Sequence, residues 1–171
     1  MPTKGRITTL NSSESRSFMF NPTEISDNKS VMWATVPIHG GSHPATQYGA
    51  GGERQWAFQL WLDGDRGQVA RGVDRLHIAD EIRWYRSLLY PENLDNSTFP
   101  KGNPQLVLFS LGAYVTSALC EVRQADVQVT YFTPAMDPVR ATVDMLLVER
   151  PERSQTAGQV RNSYLTVRER F

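Results

Sequence analysis

From Phe18 to Asp65 the chain reads FMFNPTEISDNKSVMWATVPIHGGSHPATQYGAGGERQWAFQLWLDGD, apolar runs separated by a glycine-rich stretch. The pattern predicts strand, long Gly/Pro loop, strand. A short opening strand at Phe18 runs into Asn21-Pro22, a second strand covers Val31 to Ile38, and a third covers Arg54 to Leu62. The loop between the last two is assigned to Pro37–Gly52. In the third strand Trp56, Phe58, Leu60 and Leu62 share one face, as a period of two requires. Trp61 is then an aromatic on the small or polar face, a position that calls for cover by another element or another subunit.

Beyond the turn cluster Asp63-Gly64-Asp65-Arg66-Gly67 the period changes. Ile78, Ile82, Tyr85 and Leu89 recur at helical spacing and form one apolar stripe, with Asp80, Glu81, Arg83 and Arg86 off it, before Pro91 closes the helix. Residues 91–104 carry three prolines and a glycine and read as a long connection. Strand signals then return at Leu106–Phe109, Ala113–Val122, Val127–Phe132 and Val139–Val148, four strands in this half. In the last of them Leu146 and Val148 make the end apolar on both faces, so that end should be covered. Short connections favour antiparallel neighbours. The expected fold is mainly β with one helix, an antiparallel sandwich or barrel. Its domain spans 18–150, flanked by a flexible, serine-rich arm at 1–17 and a polar tail at 151–171.

Composition narrows the function classes. Eighteen basic and eighteen acidic residues cancel, which gives no overall pull toward nucleic acid or a membrane surface. A single cysteine, Cys120, excludes an internal disulfide and a multi-cysteine zinc site. No apolar run has the length of a membrane span, and the first seventeen residues lack the apolar core of a secretion signal, so a soluble protein made in a reducing cytoplasm is expected.

Few residues of the chain stand in a spacing that chemistry requires. His39 and His43 are four apart, a metal-ligand spacing only on a helix, and the intervening glycines speak for a loop. Gly49-Ala50-Gly51-Gly52 precedes a strand, whereas a phosphate-cradling loop follows a strand and opens a helix. Those glycines are expected to serve positive φ or a close backbone approach. Cys120 lies in a strand-like run, where a buried apolar role outweighs a nucleophilic one. A Cys-His set with His77 has no sequence feature in its favour. Asp80 and Glu81 read as solvated acids near a helix N-terminus. No catalytic, cofactor or metal residue is therefore assigned, and no cofactor is expected. The competing reading is a small β-sandwich enzyme or ligand-binding protein that uses His39, His43 or Cys120.

Phe20-Asn21-Pro22-x-Glu24, the Val-Pro-Ile-x-Gly-Gly-Ser-His-Pro loop, Tyr48-Gly49-x-Gly51-Gly52-Glu53-Arg54 and Leu60-x-Leu62-Asp63-Gly64 together resemble the tube-type family of contractile injection systems and phage tails. The likeness covers residues 18–150 and lacks the LysM module that many members carry after this domain. It implies a structural component of a virion tail, baseplate or injection-system particle. Its place would be a six-fold ring between the inner tube and the baseplate hub, where it templates tube assembly, with tail-tube and hub proteins as partners. Inner sheets would join around a lumen that passes DNA or cargo, and no membrane is involved. By the same analogy the loop is a contact arm, with Pro37, His39, Gly40, Gly41, Ser42, His43, Pro44 and Tyr48 as the candidate partner-contact residues.

Overall fold

A computed structural model describes residues 3–64, 78–91, 102, 105–150 and 156–160. Its strands are β1 (Arg6–Thr9), β2 (Ser15–Ser17), β3 (Ile25–Val36), β4 (Ala45–Asp63), β5 (Leu106–Leu111), β6 (Val115–Phe132) and β7 (Pro138–Glu149), with helix α1 (Ile78–Ser87) between β4 and β5. They form one seven-stranded sheet in the order β2-β1-β5-β6-β7-β4-β3, antiparallel at every pairing. The mainly β, antiparallel class expected from the alternation is thus the observed one.

The sheet curls on itself. Neighbouring strands lie about 4.8 Å apart, so β4 and β5, with β7 and β6 between them, would stand about 14 Å apart in a flat sheet. Instead Phe58 of β4 stacks on Phe109 of β5 with ring centroids at 5.3 Å, and Trp56 lies 5.7 Å from the same ring. The Tyr114 hydroxyl, in the β5–β6 turn, donates to Asp27 Oδ2 on edge strand β3 at 2.7 Å. The concave face carries Trp56, Phe58, Leu60 and Leu62, each paired in register with Leu147, Met145, Val143 and Ala141 of β7. Helix α1 packs on β7 and β6, and Ile78, Ile82, Trp84 and Tyr85 complete the same core. The β7 end is covered as expected, Val148 being fully buried.

Several boundaries differ from the sequence expectation. Residues 6–9 and 15–17, assigned to a flexible arm, form a hairpin hydrogen-bonded to β5. Ile7 is fully buried, and Gly5 lies so close to Phe18 that a Cβ there would sit 2.4 Å from its ring. β1 buries Ile7 and the polar Thr9 and β2 buries nothing, so a single apolar core residue over two short strands is too weak a signal for alternation to register. Phe18 belongs to no strand, and its buried ring is held by a bend. The strands expected at 113–122 and 127–132 are one element, β6. The polar Arg123–Asp126 segment that suggested a break holds a register shift between Val122 and Gln124. The expected loop 37–52 is shorter, since β4 begins at Ala45 and leaves 37–44 to connect the strands. Gly52 sits inside this hairpin because a Cβ would meet Ser30 Oγ at 2.4 Å, next to a register shift between Lys29 and Val31.

Glu81 is not solvated but buried. Arg16 of β2 donates to its Oε1 at 2.7 Å, and the Arg16 guanidinium lies 5.5 Å from the Trp84 ring centre. This pair fastens the N-terminal hairpin to α1. The connection at 92–101, most of the turn after Asp63, His77 and most of the tail lie outside the described residues, although residues 157–160 form a helical turn.

Candidate assembly interface

β3 and β4 are longer than the sheet that holds them. β7 pairs with β4 only from Gln55 to Asp63, whereas β3 and β4 stay paired to each other out to Val36 and Ala45. Beyond Arg54, two strands continue alone. Residues 31–51 of this arm are exposed without exception, and they include Val31, Met32, Trp33, Val36, Ile38 and Tyr48. The stretch 31–52 contains no Asp, Glu, Lys or Arg, in a chain that is 21% charged. A free surface gains solubility from charge, so an uncharged, apolar projection fits a surface that another chain covers.

The arm is ordered from within and clamped at its root. Trp33 and Tyr48, opposite each other in register, meet edge-to-face with centroids at 5.8 Å. Such pairs add to hairpin stability. At the tip, Gly41 N–H donates to Ile38 C=O at 3.1 Å, and Gly40 takes φ +76°, where a side chain would be strained. On the core side of the root, Arg54 donates to both carboxylate oxygens of Asp27, through Nε at 2.9 Å and Nη2 at 2.5 Å, while its guanidinium lies over Trp56. Arg54 foremost, with Tyr114, holds the Asp27 carboxyl down at about 2 against the cost of burial. On the opposite side, Arg123 bridges Glu53 at 3.0 Å and the buried Glu121, which also takes Arg150 at 2.7 Å. The Arg150 hydrogen bond is the largest cause of the lowered Glu121 pKa.

The convex face of the sheet body is polar. Gln59, Asp144, Asp126, Gln128 and Gln124 project from β4, β7 and β6, with Asp126 directly opposite Asp144. Gln59 donates to Asp144 at 2.8 Å and Gln124 to Asp126 at 2.6 Å, which tempers a like-charge pairing that is otherwise unfavourable. At the end away from the arm this face gives way to a pocket of about 380 Å³, lined among others by Phe20, Trp61, Leu62, Asp63, Arg140 and Ala141. Arg140 Nε sits 3.1 Å from Asp63 Oδ2, and Tyr131, Phe132 and Met136 are exposed nearby at the β6–β7 turn. Trp61, whose position called for cover, is 60% exposed in the single chain.

The structure gathers the candidate contact residues at one place. Pro37, His39, Gly40, Gly41, Ser42, His43 and Pro44 make the tip, and Tyr48 stands below them on β4, all exposed. His39 and His43 thus sit in a solvent-facing loop. Cys120 is fully buried, and burial, aided by the Glu149 carboxylate, pushes its thiol up to about 12, so it is neither accessible nor ionised as a nucleophile must be. The ion clamps and the distal pocket escaped sequence reasoning because their members are scattered through the chain. The uncharged run 31–52 was the available signal for the arm.

A curled sheet with an exposed, uncharged projection is a shape suited to assembly with other chains. A family model described as contractile injection system tube protein matches residues 3–158, and the chain belongs to that family. It is a structural component related to tail tubes, of the kind that builds a phage tail or injection-system particle. Comparison with curated proteins gives no match. Among the described residues, no helix is long and apolar enough to cross a membrane.

Proposed function

We propose that this chain is a non-enzymatic ring subunit, six to a ring, placed between the inner tube and the baseplate hub, and that it templates tube growth. The observation that carries the reading is the projecting β3–β4 arm, exposed and uncharged over its whole length beyond the clamps. Pro37 to Pro44 and Tyr48 make its contacts with neighbouring subunits. Curled sheets from adjacent subunits close a wall, which removes the free edge that β3 presents. The polar convex face of β4, β7 and β6 then lines the wet lumen through which DNA or cargo passes, in keeping with one face on a core and one on water. Mechanism here is mechanical: interface shape and charge pattern decide which ring seats on which.

Replacing residues 34–47 by an Asn-Gly turn that joins Trp33 to Tyr48 removes the tip and leaves every core residue in place. The shortened protein is expected to keep its circular dichroism spectrum and lose assembly, read by light scattering and by electron microscopy of particles. Normal particles built from it would refute the contact role.

A further inference from the structure

The ribbon of β3 and β4 leaves the sheet through irregular pairing. Between the partners Lys29–Arg54 and Val31–Gly51, β4 has Gly52 and Glu53 against Ser30 alone, and between Met32–Ala50 and Trp33–Tyr48 it has Gly49 against nothing. An extra residue bends its strand and raises the local twist. Both extra residues lie on β4, so this strand takes the longer path at the root. The bulges need glycine, because a Cβ would stand 3.0 Å from the Met32 carbonyl oxygen at Gly49 and 3.0 Å from that of Ser30 at Gly52.

Strand β6 carries a further bulge beside the root. Arg123 has no partner on β7 between the pairs Val122–Leu147 and Gln124–Leu146. Alternation fails there, since Glu121 and Val122 are both buried and Arg123 and Gln124 are both exposed. The bulge thereby aims Arg123 across the end of β7 toward β4, where its Nη2 donates to Glu53 Oε1 at 3.0 Å. Arg123 also donates to Glu121 Oε1, and Arg150 donates to the other oxygen of that carboxylate at 2.7 Å. The root is thus tied on both faces, and the ties differ. On the concave face the side chains of Arg54 and Asp27 are 20% and 18% exposed, whereas on the convex face those of Arg123 and Glu53 are 42% and 43% exposed. Salt screens an exposed pair far more than a partly buried one.

We propose that Arg123 is the positioning residue of the arm: from its bulge it holds Glu53 and sets the angle at which the ribbon leaves the sheet, an angle that ionic strength changes. The Asp27–Arg54 tie is the fixed side. When the Glu53 tie is screened, the arm tilts away from the convex face, toward the side that carries α1. From Gly52 to Ala45 the lever is about 23 Å long, so a tilt of about 15° carries its end about 6 Å. The device belongs to the single chain, and its failure would leave the ring reading untouched.

Distances between spin labels test it on the full chain, since the native Cys120 is buried. Labels at His39→Cys in the tip and Arg86→Cys on α1, both exposed positions, report the tilt. Raising salt from about 0.05 M to about 1 M, where the screening length falls to about 3 Å, is expected to shorten the main distance by about 5 Å and to broaden its distribution. Glu53→Gln, which leaves Glu121 with both of its arginines, should show the shortened distance already at low salt, respond no further to salt and keep the urea midpoint of the parent. Arg123→Ala should give the same distance, and Arg123→Lys should recover the salt response. A distance that salt does not move, or a salt response that persists in Glu53→Gln, would overturn the proposal. So would a shift in Arg123→Ala that Glu53→Gln does not reproduce, since it would assign the effect to Glu121.

Discussion

Strand β4 is continuous from Ala45 to Asp63, yet its two halves live in different surroundings. From Gln55 to Phe58 it has β3 on one side and β7 on the other, from Gln59 to Asp63 it is paired with β7, and its even positions are buried throughout. From Ala45 to Gly51 it has β3 alone, and nothing is buried. Backbone pairing with β3 runs through the upper half and into the lower one as far as Phe58, so the difference lies in β7 and the core. A two-stranded ribbon is marginal by itself in water, and this one is braced by its Trp33–Tyr48 pair and by ion clamps at Arg54 and Glu53. The lower half serves stability. The upper half buries nothing in the single chain, and under the proposed function it is the part that meets a neighbour.

The largest effect should come from contrasting the two tryptophans on these halves. Trp56→Ala empties the centre of the core and is expected to cost about 3–5 kcal/mol in urea unfolding. Trp33→Ala, in an exposed ribbon, should change global stability by less than about 0.5 kcal/mol while weakening assembly. Equal stability losses would break the comparison.

A smaller loss is expected at the N-terminal hairpin, which unlike the arm carries charge and is fastened to the core. Arg16→Ala leaves the buried Glu81 carboxylate without its guanidinium and should cost about 3 kcal/mol, recovered in part by adding Glu81→Gln. No recovery would mean that the ion pair is incidental to the fastening.

Asp27 sharpens the boundary itself. Its carboxyl is held at about 2, below its ordinary value of 3.8, so the stabilisation is fully present above pH 3.8 and fades as pH falls through 2. The shift corresponds to about 2 kcal/mol. Asp27→Asn should therefore lower the thermal midpoint at pH 7, and the gap from the unaltered protein should narrow between pH 4 and about pH 2. A gap independent of pH would assign the loss to packing and not to the charge.

How much of this was legible in the sequence depended on how many neighbours each segment has. Trp56, Phe58, Leu60 and Leu62 announced their face because that strand has a core on one side and water on the other. The alternation does not show β1 and β2, whose buried positions are Ile7 and the polar Thr9 and so leave no apolar period to read, and it divides β6 in two at Arg123, where a register shift breaks the period. It also took Gly49 to Gly52 as loop residues, although they lie in β4 where the close approach of Ser30 and Met32 leaves little space for a Cβ at Gly52 and Gly49. Glu81 looked solvated because its partner Arg16 is far away in sequence. The tip residues from Pro37 to Pro44 were legible as a group through their Gly/Pro content, but the pocket at the far end was not, since Phe20, Trp61 and Arg140 come from three separate segments.

Amide hydrogen exchange on the free chain and on assembled particles tests the central claim most directly. Peptides covering 31–51 should exchange fast in the free chain and slow by about tenfold or more on assembly, while those covering 55–63 stay protected in both. An arm that exchanges equally fast in the two states would contradict the account.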